Sequence, residues 1–139
     1  MIDARITMLN QTDAIARADE IGLPVPLASL NVFRVLLRRP ETAKATADLL
    51  LALLFRGVLD DRLRELVIMR IGWVTGSDYE WTQHWTIAQE SFGCSPQDLL
   101  AVRDWDHTDS FDEPECAVLA AADETLETGS LSAATFARF

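Results

Sequence analysis

An all-α fold is the class this sequence predicts, and three observations predict it. Apolar residues recur at spacings of three and four, the segments that carry them open and close on helix-capping chemistry, and short turns rich in Gly, Pro, Ser and Asp separate them. No tandem repeat or low-complexity tract interrupts the pattern. At 139 residues and 49% hydrophobic, the chain suffices for one compact core and is short for two ordinary domains, so residues 1–139 read as a single domain.

Taken in order, the first helix is expected over 27–39, where "RRP" ends it because Pro40 cannot continue a helix but can open the next one, "ETAKATADLLLALLF". Gly57 is expected to close that second helix. A third starts behind Asp60 as "DRLRELVIMRIGWV", with Leu63, Leu66, Val67, Ile71 and Val74 forming its buried stripe and Glu65 off the stripe's centre. "TGS" breaks the pattern. A fourth helix runs over 78–92, with Trp81, Trp85, Ala88 and Phe92 on one face, and ends at Gly93. Ser95 as N-cap, Pro96 at the first helical position and Asp98 at the third open a fifth. Residues 104–112, "DWDHTDSFD", read as an acidic loop; "PECAVLAAADETLETG" makes a sixth helix closed by Gly129, and Ser132 starts a last one.

Composition removes several function classes. Twelve Lys and Arg against twenty-two Asp and Glu give a net charge of -10, a field that repels nucleic-acid phosphates and anionic membrane surfaces. The longest apolar run, "DLLLALLF", is far shorter than the roughly 20 residues of a membrane span, and "MIDARITMLNQTD" lacks a basic segment followed by an apolar one. A soluble, cytoplasmic protein is therefore expected, with no nucleic-acid or membrane partner. Cys94 and Cys116 match neither a redox nor a zinc spacing, and each reads as a reduced, small hydrophobe within a helix. No metal site is expected: the two histidines lie far apart, and His107 sits in the acidic loop as a solvated residue.

Chemistry gathers in "GSDYEWTQH", residues 76–84. Ser77 followed by Glu80 is a capping-box pattern, and Asp78 suits the positive end of the helix dipole. Capping leaves His84 unexplained. Glu80 and His84 are four residues apart and share a face, so the acid can fix the imidazole's tautomer or keep it charged; the same spacing also describes an ordinary surface ion pair. Glu65, inside the most apolar helix, approaches that face if the helices either side of "TGS" form an antiparallel hairpin. Otherwise it pairs with Arg64 or Arg70, or faces solvent.

The run "RELVIMRIGWVTGSDYEWTQHWTIAQESFGCS", with "NVFRVLLRRPETAKATADLLLALLFRGVLDDRLRE" before it, closely resembles the core of the carboxymuconolactone decarboxylase family, which includes the alkylhydroperoxidase D-type proteins. The likeness covers about residues 31 to 95, with a looser echo in "AVLAAADETLETGSLSAATFARF". It implies an alkylhydroperoxidase D-like all-α fold around a central antiparallel helix hairpin, completed by oligomerisation as a trimer or hexamer. Members usually continue beyond "TFARF", which implies either a short version lacking the family's last helix or a chain whose stability leans on its neighbours. In the redox branch a Cys-x-x-Cys pair, a histidine and a glutamate form a proton relay; carried over, the cysteines fall on Ser77 and Glu80, the histidine on His84 and the glutamate on Glu65. The thiols are absent. What remains resembles the non-redox branch, which acts in aromatic catabolism and removes carbon dioxide from a carboxylated unsaturated lactone with neither metal nor organic cofactor. By this resemblance His84, Glu80 and Glu65 are the catalytic candidates, His84 as proton donor or shuttle, and Tyr79, Ser77, Trp81 and Arg70 the substrate-binding ones, with Arg34 as an alternative cation. Two other readings stand beside this lyase: a thiol-dependent alkylhydroperoxidase-type antioxidant protein, which the missing cysteines disfavour, and a helical oligomer that binds a small molecule without catalysis.

Overall fold

A computed structural model describes residues 6–139; Met1 to Arg5, the start of the stretch read for a leader, lie outside the described residues. Every regular element among the described residues is helical, and the chain falls into two compact units, Met1–Gly57 and Val58–Phe139. No described helix is long and apolar enough to cross a membrane.

The first unit holds α1 (Gln11–Glu20), α2 (Val25–Ala28), α3 (Asn31–Leu36) and α4 (Pro40–Phe55). Sequence periodicity missed α1, because its core side is only Ala14 and Ala18. Its start is nonetheless well defined: the Asn10 side-chain oxygen accepts the Asp13 N–H at 2.8 Å. The single helix expected over 27–39 is instead α2 and α3, broken where Leu30 turns extended (ψ 140°). A continuous helix would set Ala28 and Phe33 about 140° apart around its axis; the break lets Ala28, Phe33 and Leu37 all enter the core. Pro40 opens α4 as expected, but Gly57 is not its left-handed cap. The helix ends at Phe55 with Arg56 as cap, and Gly57 serves close approach: a Cβ there would stand 3.0 Å from the Leu53 carbonyl oxygen.

The second unit comprises α5 (Asp61–Val74), α6 (Asp78–Phe92), α7 (Pro96–Ala101), a 3-10 segment (Val102–His107), α8 (Glu113–Thr128) and α9 (Ala133–Phe136). Asp60 caps α5 by accepting the N–H groups of Arg62 and Leu63. The buried face of α5 corrects the expected stripe. Glu65, Leu66, Met69 and Gly72 are buried, whereas Leu63 and Val67 are half-buried and Ile71 and Val74 exposed. Glu65 thus sits at the centre of the packed face and not beside it. The aromatic side of α6 dictates this rotation, since Trp81, Trp85 and Ala88 join Leu66 and Met69 in one core with Cys94, Leu99, Val102 and Leu119.

The hairpin turn is a Schellman closure of α5. Gly76 takes φ 66°, its N–H bonds the Trp73 carbonyl, and the Ser77 N–H bonds the Gly72 carbonyl at 2.9 Å. That last bond halves the expected capping box: Ser77 Oγ still accepts the Glu80 N–H, at 3.4 Å, but its own N–H is committed to Gly72 and Glu80 turns elsewhere. Gly93 closes α6 and Gly129 closes α8 with positive φ, and Ser95 with Asp98 forms a complete capping box on α7. The expected acidic loop shrinks to residues 108–112, because 104–107 belong to the 3-10 segment.

Two arginines tie the unit together. Arg62 reaches from α5 to Asp98 at 2.8 Å and Glu115 at 2.7 Å; burial works against its charge, but the hydrogen bonds to both acids outweigh burial and raise its pKa. Arg70 clamps Asp123 at 2.6 and 2.8 Å and donates to the Val102 and Arg103 carbonyls, while Trp105 Nε1 donates to the same Asp123. Both cysteines are free thiols, pushed up in pKa by burial.

Candidate functional site

Because α5 turns Glu65 towards α6, the carboxylate that periodicity placed at an edge meets His84. Glu65 Oε2 lies 2.7 Å from His84 Nδ1, and the glutamate side chain is 1% exposed. If the carboxylate is ionised it only accepts hydrogen bonds; Nδ1 then carries the hydrogen between them, and the lone pair of a neutral ring falls on Nε2. The imidazole is 18% exposed, and its Nε2 faces Glu80 Oε2 at 3.7 Å, beyond hydrogen-bond range. Glu80 itself is about half exposed. The histidine is thus held from behind by a buried acid and open on the side of an exposed one.

The remaining predicted residues separate into two groups. Ser77 and Trp81 line a cavity of about 470 Å³ at the N-terminal end of α6, with Gly72, Trp73, Gly76, Asp78 and Arg103 as its other walls. Tyr79, half-buried in the first turn of α6, contributes no wall. Arg70 is committed to Asp123 and two backbone carbonyls, and Arg34 bonds the Leu9 carbonyl and Asn31. The cation at the cavity is Arg103. Its guanidinium carbon lies 5.1 Å from the Trp73 ring centre and 5.5 Å from that of Trp81. Nothing in the sequence singled out Arg103, because its approach to Trp73 depends on the 3-10 segment that carries it back over α5.

The cavity and the histidine are neighbours rather than one chamber. Ser77 and His84 are seven residues apart on one helix, about 10 Å along its axis. Trp81 spans the interval, tilted against Trp73 at 5.7 Å and stacked on Trp85 at 6.0 Å. His107 lies away from this arrangement, exposed, its Nδ1 within 2.9 Å of Asp104 and 3.0 Å of Asp106; the hydrogen bond to Asp104 raises its pKa.

An all-helical unit organised on an antiparallel hairpin, with an acid on the first helix gripping a histidine on the second, defines the class to which this chain belongs. A family model described as the carboxymuconolactone decarboxylase family matches residues 40–124, and the chain is a member of that family. No curated protein and no solved structure matches it.

Proposed function

We propose that the protein is a cofactor-independent lyase, or a closely related enzyme, acting on a small carboxylated lactone or acid at the Glu65–His84–Glu80 cluster. The observation that carries this reading is the 2.7 Å bond from a buried carboxylate to His84 Nδ1, which leaves Nε2 as the outward, proton-transferring nitrogen. Decarboxylation breaks the bond between the carboxylate and the ring carbon and releases carbon dioxide. The electron pair passes into the unsaturated ring as a dienolate; Nε2, bare in the resting site, takes a proton from water to give a transient imidazolium and passes it to carbon, and the hydroxide left behind joins the carbon dioxide as bicarbonate. Glu65 stabilises the imidazolium, and Glu80, close to Nε2, adds a second acid. Arg103, in the adjoining cavity with Ser77 and Trp81, is the cation suited to the substrate's anionic end.

The thiol-dependent reading lacks its Cys-x-x-Cys pair, since Ser77 and Glu80 stand at both positions, and the two free thiols do not replace it: Cys94 is buried, and burial raises the pKa of Cys94 and Cys116 alike. A cytoplasmic role in aromatic catabolism and assembly as a trimer or hexamer belong to the same proposal. Assembly is supported by an open apolar groove between α5 and α8 that includes Val67, Ile71, Val118 and Leu126.

The test is turnover of a carboxymuconolactone-type substrate followed by ultraviolet absorbance. In folded His84→Gln, kcat falls by about 100-fold or more, while Arg103→Gln chiefly raises KM. A folded wild type without turnover removes this substrate class; turnover retained by His84→Gln removes the histidine from the chemistry.

A further inference from the structure

Arg64 directly precedes Glu65, and adjacent helix residues point about 100° apart, so their side chains do not ordinarily meet. Here they do. Arg64 Nε and Nη2 lie 3.4 and 3.5 Å from Glu65 Oε1, the oxygen not used by His84. The guanidinium is fixed from two further directions, by Asp61 one turn earlier and by the Phe92 ring, whose centre lies 4.7 Å from its central carbon. Arg64 is 7% exposed. A permanent cation so enclosed is costly unless it compensates a charge, and the buried charge beside it is Glu65.

We propose that Arg64 is a positioning residue of the site: by holding a positive charge against the far oxygen of Glu65, it keeps that carboxylate an acceptor only and thereby keeps the Nε2 lone pair of His84 free. The charged and titratable groups around the pair are Asp61, Arg64 and Glu65 on α5 and Glu80 and His84 on α6, with the Cys94 thiol close enough to feel the charge of Glu65. Without the cation, the Glu65–His84 pair binds an extra proton more tightly. Whether that proton resides on the carboxyl group, which then donates to Nδ1, or on the ring, Nε2 is the nitrogen that gains a hydrogen. Arg64 is thus set to decide whether the outward nitrogen is a base or an acid at a given pH. Its effect on turnover rests on the function proposed above; its effect on the imidazole does not.

Nitrogen-15 NMR of the imidazole reads this directly. In a His107→Gln background a single histidine remains, and at about pH 8 a neutral ring with hydrogen on Nδ1 shows a bare, pyridine-like Nε2. As the pH is lowered from there, the wild-type sequence at position 64 and Arg64→Lys keep that signature longer than Arg64→Gln, in which Nε2 becomes protonated at higher pH. Circular dichroism and tryptophan fluorescence establish that each variant is folded. A folded Arg64→Gln in which Nε2 is protonated at no higher pH than in the wild type overturns the proposal. So does a bare Nδ1 in the protein with Arg64 intact, a result that stands even if Arg64→Gln does not fold. An enzyme that turns over its substrate yet fails this test loses the role of Arg64 alone; one that passes it without turnover loses only the assigned chemistry.

Discussion

The buried side chains described in Met1–Gly57 are all apolar, Ala14, Ala18, Phe33 and Leu37 among them, whereas Val58–Phe139 buries Arg64, Glu65 and Glu115 along with its aliphatic core. Apolar burial is favourable wherever shapes fit, but buried charge has to be compensated group by group. In the second unit each such group has a partner: Glu115 bonds Arg62, and Glu65 lies between Arg64 and His84. The Arg62 network joins three helices and is explained by packing alone. The Arg64–Glu65–His84 row ends at a partly open imidazole, which packing does not require, and this distinguishes the site from the structural ion pairs around it.

The contrast predicts that the two units respond differently to damage. Phe33 is 1% exposed with no charged neighbour in its cluster, so Phe33→Ala costs about 3–5 kcal/mol through lost burial and a residual cavity. Because no titrating group is involved, that loss is the same at neutral and mildly acidic pH. Urea denaturation followed by circular dichroism measures it, and a loss that varies with pH would break the comparison. All four tryptophans lie in the second unit, so their fluorescence reports on that unit selectively.

A smaller effect, and one that depends on pH, is expected at Asp98. Burial raises its pKa, but the hydrogen bonds from Arg62 and Ser95 outweigh burial and hold it below the usual carboxylate value. A group whose folded pKa is depressed contributes stability above its unfolded value, about 3.9, and loses it as pH falls through the folded one. Asp98→Asn therefore costs about 1–2 kcal/mol at neutral pH, and the gap from wild type closes as pH drops below about 4. Fluorescence-detected denaturation at several pH values follows this, and a gap of constant size down to pH about 3 would remove the electrostatic account.

Much of this arrangement is legible in the sequence, and its failures have physical causes. Local chemistry announces the ends of α5 to α9: Asp60, Ser77, Ser95 and Ser132 each accept backbone N–H groups, and Gly93 and Gly129 adopt the left-handed conformation. α1 escapes because alanine carries a weak apolar signal, and the break at Leu30 escapes because it serves packing between helices. The face of α5 escapes for a related reason. Ile71 and Val74 look like core by hydropathy, yet α6 packs on Glu65, Met69 and Gly72. The meeting of Glu65 with His84 was open to inference from the hairpin and the family resemblance. Arg64 was open to inference as an ion-pair partner of Glu65, but its enclosure by Phe92 and the part played by Arg103 were not, because each depends on an aromatic ring distant in sequence, Phe92 for one and Trp73 for the other.

Gly72 tests the apolar half of the second unit, the contact on which the buried acid depends. A Cβ at this position would stand 3.4 Å from the Trp81 nitrogen, 3.6 Å from the Glu80 Cβ and 3.8 Å from the Trp81 Cα. The two longer distances are those of ordinary contact and the first is at its near limit, so the alanine methyl fits with little movement of α6. Glycine inside a helix is less favourable than alanine by roughly 0.5–1 kcal/mol, and part of that gain is spent on the tight approach to Trp81. Gly72→Ala accordingly raises stability by about 0.5 kcal/mol in thermal denaturation, with the Glu65–His84 bond intact. A loss of more than about 1 kcal/mol would mean that the hairpin is already at its closest packing. Then α6 would move outward, taking His84 with it, and the reach of the buried carboxylate to Nδ1 would depend on the absence of a single methyl group.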